Sequence, residues 1–195
     1  HYIPYCTDTD FWKSKNVDKD IDLLFIGNDG KRDYRFVENL FNSVPHLNCY
    51  AVSQHISKKS ITNNNFEMSK SSWHQNILSD IEIREIYDRS KIVVIPLTNS
   101  YQPSGQSVTL QSLSMGIPTL ITETKGFWDY EKFINYENII FLENNKIDLW
   151  KNEIDLILKN KSNYEKIRNR GMETVSQNFN LQIFYKKLMG IVENG

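Results

Sequence analysis

Hydrophobic and polar positions along this chain fall into two alternating rhythms. Leu23-Leu24-Phe25-Ile26 is an apolar run of strand length, led in by Asp20 and Asp22 and stopped by Gly27, as expected of a strand buried on both faces. Phe36, Val37, Leu40 and Phe41 then recur at helical spacing, with Pro45 just beyond the helix end. Leu47 to Val52 predicts a second strand. Between Ser53 and Trp73 the pattern dissolves into Ser, Thr, Asn and Lys, and we assign this stretch to a long surface loop. Ile77-Leu78 suggests a short strand, and Ile83, Ile86 and Tyr87 a short helix. Lys91 to Leu97 is the clearest buried strand in the chain.

A loop containing Pro103 leads to Ser104-Gly105, a helix from Val108 to Met115 ended by Gly116, and a strand from Ile117 to Thr122. Phe127 to Ile134 predicts a helix and Ile139 to Leu142 a last strand. Trp150, Ile154, Ile157 and Leu158 mark an amphipathic helix. Two more helices close the chain, one from Ser162 to Gln177 and one with Leu181, Phe184, Leu188 and Ile191 on one face. Parallel neighbours need crossovers and helices supply them, so the alternation predicts an α/β fold with a doubly wound parallel sheet. Ligands in such sheets bind outside the carboxyl ends of the strands, which directs attention to the loops after Gly27, Leu97 and Thr122.

Composition narrows the chemistry. The 195 residues suit one ordinary domain, large enough to bury about 70% of the unfolded surface without a staple. Lys and Arg number 23 against 24 Asp and Glu, a net charge of −1, so no bulk positive field gathers nucleic acid or anionic lipid. Any anion must be held locally. Cys6 and Cys49 are isolated, without a CxxC or a histidine at ligand spacing, which argues against a disulfide framework and a zinc site. We expect reduced thiols in a cytoplasmic protein, no metal and no cofactor. No apolar run approaches the length of a membrane span, and the start lacks a leader pattern. The chain begins at His1, which leads us to expect further sequence upstream.

The loop Gly27-Asn28-Asp29-Gly30-Lys31-Arg32 joins a buried strand to a helix N-terminus, where glycines admit a close ligand and the two cations suit a diphosphate. It is not a GxGxxG motif, and a glycine-containing turn with solvated charges would look the same. Pro103-Ser104-Gly105-Gln106-Ser107 precedes a helix rich in small polar residues; Ser104 can cap it, leaving the amides of Gly105 to Ser107 for a phosphate. The other reading is that small residues merely allow close packing on the sheet. His1, His46, His55 and His74 form no triad, and Asp29, Asp33, Asp129 and Glu131 are ordinary loop carboxylates as well as candidate bases. No catalytic residue is identified.

Three stretches together resemble the C-terminal, donor-binding domain of GT-B glycosyltransferases, in the family 4 (glycosyl transferases group 1) set. Ile3 to Trp12 (IPYCTDTDFW) resembles the family's interdomain hinge, Ser104 to Thr122 (SGQSVTLQSLSMGIPTLIT) its glycine-rich loop, helix and following strand, and Thr122 to Tyr130 (TETKGFWDY) the next loop, with Gly126 and Asp129 in place. The resemblance implies a hinge over 1–19, a Rossmann-like nucleotide-sugar-binding domain over 20–178, and a last helix, 179–195, packing on an N-terminal domain. It implies that Gly27, Asn28, Lys31 and Arg32 lie near the donor diphosphate, that Ile77 and Leu78 hold the base through backbone groups, and that the amides of Gly105, Gln106 and Ser107 receive the distal phosphate, with Ser104 beside them in the substrate site. Asp129 would approach the sugar. Two glutamates eight positions apart, usual in the family, are Pro103 and Gln111 here; an amide at Gln111 still bonds ribose, whereas Pro103 cannot replace a carboxylate. The implied activity is retaining transfer of a hexosyl group from a nucleotide diphosphate sugar to a glycan or lipid-linked acceptor. It is expected to be silent without the N-terminal domain, in the cytoplasm or at a membrane surface reached through that domain. The alternative is a non-catalytic module of the same fold that binds a nucleotide sugar or a protein. A sugar-nucleotide epimerase or a phosphorylated receiver domain would need carboxylates and a histidine or lysine that the strand ends do not supply.

Overall fold

The computed structural model describes residues 3–70 and 78–194. Six parallel strands form one sheet in the order β3-β2-β1-β4-β5-β6: β1 is Ile21–Ile26, β2 Cys49–Val52, β3 Phe66–Ser69, β4 Ser90–Ile95, β5 Thr119–Thr122 and β6 Ile140–Leu142. The helices are α1 (Tyr34–Ser43), α2 (Asp80–Asp88), α3 (Gln106–Ser114), α4 (Ile147–Lys159), α5 (Lys161–Asn178) and α6 (Leu181–Asn194). The sheet order reverses between β1 and β4, and this reversal opens a crevice at their carboxyl ends.

Both faces of the sheet are covered, which explains the unbroken apolar runs. Successive side chains of a strand point to opposite faces. Leu23 and Phe25 of β1 therefore join Val37, Leu40, Phe41 and Trp150 in one layer, while Leu24 joins Tyr87, Val93, Leu110 and Leu113 in the other. Trp150 is fully buried and its Nε1 donates to the carbonyl of Asn144, so truncating it to alanine would cost about 3–5 kcal/mol. Helix α3 is not amphipathic because it is enclosed: Gly171 of α5 lets Leu113 approach, and a Cβ there would lie 2.8 Å from Leu113 Cδ2. On its other side the Ser112 and Thr119 hydroxyls bond to each other at 2.7 Å.

Two segments depart from expectation. The polar stretch after Val52 contains a short 3-10 turn, Lys58–Ser60, and the edge strand β3. Among the described residues only one flank of β3 is paired, and within the strand only Phe66 is buried, so it has neither the alternation nor the apolar density of a recognisable strand. Asn63, one of the residues that made the stretch look like loop, is buried. Its Nδ2 donates to the carbonyls of Phe41, Val44 and Leu47, each at 3.2 Å. Residues 127–134 form turns rather than the expected helix. The Asp129 carboxylate accepts from Lys132 N and the Asn138 side chain from Ile134 N, which takes these amides out of a helical ladder. Phe127 meanwhile packs on Trp128, Tyr130, Phe133 and Phe141.

The N-terminal segment lies on the domain. Thr7 N donates to Phe179 O at 2.8 Å, next to the junction of α5 and α6, and Trp12 is buried against Tyr87. Both cysteines are free thiols. Among the described residues, no helix is long and apolar enough to cross a membrane.

Candidate functional site

The crevice at the switch point is a cavity of about 930 Å³, built mainly from the loop after β1 and the head of α3. The first loop begins at Gly27, whose amide continues the sheet to Val52 O at 3.2 Å. The Arg32 side chain runs back beneath it. A Cβ on Gly27 would lie 2.7 Å from Arg32 Nε, so only glycine leaves that passage open. Asp29 folds the loop by accepting from Lys31 N at 2.8 Å. Beyond it the chain is fastened to the segment after β4: Asp33 N donates to Pro96 O at 3.0 Å and Thr98 N to Lys31 O at 2.9 Å, around an antiparallel bridge between Arg32 and Leu97.

Arg32 is 5% exposed, an unusual place for a cation. Its Nε lies 3.2 Å from Asp29 Oδ2, close enough for an ion pair but not aligned as a hydrogen bond. Nη1 has no hydrogen-bond partner among the described residues. Burial pulls the guanidinium's pKa down and Asp29 opposes this, yet an arginine stays charged. A buried charge with donors to spare is costly unless an anion completes it.

The head of α3 faces that guanidinium. Gly105 has φ +83° and is the cap residue, and a Cβ on it would lie 3.0 Å from Arg32 Nη1. Among the described residues, no side chain caps the helix. Ser104, expected to do so, instead donates its hydroxyl to both carboxylate oxygens of Asp29 at 3.0 and 3.1 Å. The left-handed turn at Gly105 carries Ser104 toward the β1 loop, so the amides of Gln106 and Ser107 lead the helix uncovered, at the positive end of its dipole. Deeper in, Tyr87 donates its hydroxyl to Gln111 Oε1 at 3.3 Å.

The cavity is lined by Gly27, Asn28, Lys31, Arg32, Leu78, Ser104, Gly105, Gln106, Ser107 and Gln111. Of the other expected site residues, Ile77 lies outside the described residues, and Asp129 does not line the cavity; its carboxylate holds the turn at Lys132. Leu78 stands in a bend before α2 rather than in a strand. Gly126 packs behind the site: its amide donates to Ser100 O at 2.9 Å, and a Cβ would lie 2.6 Å from the Tyr101 carbonyl carbon. The Thr122–Tyr130 loop thus buttresses the segment carrying Pro103. Pro103 itself is an exposed wall of the cavity. Sequence reasoning missed Trp12, Ser79 and Asp80, which also line it. Only the aromatic pair Phe11-Trp12, unusual in a polar lead segment, signalled the first. Among the described residues, no group of three His, Cys, Asp or Glu side chains could hold a metal ion.

No family model and no curated protein sequence matches the chain. Solved structures do. The chain is similar to sucrose-phosphate synthase from Thermosynechococcus elongatus (TM-score 0.80, 13% identity, covering 100% of this chain and 52% of that one). It is similar to Anabaena HepE, solved in complex with UDP-glucose (TM-score 0.77, 10% identity, 97% and 56% covered). It also matches the C-terminal domain of a group 1 glycosyl transferase, LpcC, from Francisella tularensis (TM-score 0.65, 12% identity, 90% and 99% covered). The chain thus has the Rossmann-like fold found in the C-terminal half of GT-B glycosyltransferases, and it spans about half the length of the first two.

Proposed function

We propose that this chain is the donor-binding half of a retaining glycosyltransferase that takes a hexosyl group from a nucleoside diphosphate sugar. The observation that carries the reading is the buried Arg32 guanidinium, with Nη1 unpartnered, facing the uncapped head of α3 across Gly105. A diphosphate placed there meets the cation on one side and the amides of Gln106 and Ser107 on the other. As the sugar leaves, negative charge grows on the distal phosphate, and donors already in position stabilise it without reorganisation. This reading calls on neither a metal nor a cofactor. Lys31 adds charge at the rim, the Gln111 amide reaches ribose hydroxyls, and the backbone at Leu78 receives the base.

The acceptor, a glycan or a lipid-linked sugar, would sit between this domain and an N-terminal one. Helix α6 supports such a neighbour, because Leu181, Tyr185 and Val192 are 49%, 62% and 67% exposed. Titration calorimetry with UDP, GDP and their glucose and mannose conjugates tests the proposal. Binding of at least one ligand, weakened tenfold or more by Arg32→Ala, is expected; no binding of any at about 1 mM overturns it.

One observation favours a second reading, a binding module without transfer: Pro103 presents no carboxylate where the resemblance calls for one. Full-length protein that binds a nucleotide sugar but neither hydrolyses it nor transfers from it would decide for that module.

A further inference from the structure

A second cavity of about 950 Å³ opens at the carboxyl ends of β4, β5 and β6, on the far side of the loop that carries Arg32. Consecutive residues divide the two spaces: Arg32 lines the first and Asp33 the second. The floor of the second is rigid. Asn145 Nδ2 donates to Asp33 Oδ2 at 2.9 Å and to Leu97 O at 3.0 Å, while its Oδ1 accepts from the Thr122 hydroxyl at 2.6 Å. Thr122 Oγ1 in turn accepts from Leu97 N at 2.9 Å.

The walls have a different character from the first cavity. Asp33, Glu123 and Glu143 line it with one cation, Lys125, whose ammonium is drawn to the Tyr101 hydroxyl at 3.2 Å, so the space repels phosphate where its neighbour attracts it. Tyr130, 46% exposed as a residue, lies along it with its hydroxyl donated to Thr124 O at 2.9 Å and its ring held against Phe127 and Phe141. Asn144 Nδ2 donates to Glu143 Oε1 at 3.0 Å, fixing one carboxylate oxygen and leaving the other for a ligand. The carboxylates of Glu123 and Glu143, which accept from hydroxyls, beside an aromatic residue that packs on C–H bonds, are what a neutral sugar ring requires.

We infer that this cavity binds a neutral saccharide. Beside the diphosphate site, it is placed to hold the acceptor glycan; that role rests on the transferase reading, whereas the binding does not. Saturation-transfer NMR with maltotriose, cellotriose, chitotriose and mannotriose tests it, with UDP titrated into the same samples. At least one trisaccharide should bind, lose tenfold or more in affinity in both Tyr130→Ala and Glu143→Ala, and be undisturbed by UDP. Glu143 is an exposed side chain, so the second variant reports on binding even if the first is unstable. No trisaccharide binding at about 10 mM, binding indifferent to Glu143→Ala, or competition with UDP overturns the inference. Saccharide binding without UDP binding would leave this site standing and sink the transferase proposal instead.

Discussion

The Nε of Arg32 passes 2.7 Å from the point a Cβ on Gly27 would occupy, and its Nη1 ends 3.0 Å from the same point on Gly105. One side chain is thus threaded under two glycines from loops far apart in sequence. Gly27 has an ordinary φ, so Gly27→Ala displaces the guanidinium without straining the backbone. We expect it to weaken UDP binding at least fivefold and to cost stability as well, because the displaced shaft belongs to a buried side chain. In an Arg32→Ala background the same substitution should cost nothing further, a non-additivity that calorimetry on the four proteins measures. Gly105→Ala adds the strain of φ +83° and should cost both affinity and about 1–2 kcal/mol of stability.

Thr122 ties three strand ends together through one hydroxyl, which receives the amide of Leu97 and donates to Asn145. Thr122→Val keeps the shape and removes both bonds, leaving a buried amide without a partner. Urea unfolding should show a loss of about 2–3 kcal/mol. A change below about 0.5 kcal/mol would mean that the floor of the second cavity is not held as described.

Lys19 is held at about 8, well below the ordinary lysine value, chiefly by burial and secondly by the nearby Arg168. Between that value and 10.5 the unfolded chain carries a proton that the folded chain has released. Raising the pH through this window therefore favours the fold, while below it the cost of burying the charge is fully present. Relative to Lys19→Met, the native protein should gain on the order of 2 kcal/mol between pH 8 and pH 10.5, read from urea midpoints. Equal slopes in the two proteins would refute it.

Cys49 lies inside β2 at 2% exposure, and burial pushes its thiol up to about 12. Cys6 is half-buried, and burial raises its thiol as well, with no sheet around it. Iodoacetamide at pH 8 should label Cys6 while Cys49 reacts only on unfolding. Mass spectrometry of the labelled peptides reads the order, and early labelling of Cys49 would contradict the buried strand.

The parallel sheet was legible because β1 and β4 are apolar on both faces, a pattern that local residue types impose before any long-range contact forms. The loops worth watching followed from where those runs stop. What the chain could not declare locally is anything that depends on a partner distant in sequence. β3 acquires its strand from β2, and Asn63 its burial from three carbonyls of another segment; residues 127–134, by contrast, lose a helix to nearby side chains that claim their amides. Ser104 has the composition of a helix cap, yet Asp29 offers it a charged acceptor. Lys31 and Arg32 were equal as letters. Only the path of the chain, pinned by the bridge to Leu97, sends Arg32 under the two glycines and leaves Lys31 at the rim. Residue identity determined which surfaces must be buried; tertiary structure decided which charged group ended among them without a complete set of partners, and that choice marks the candidate site.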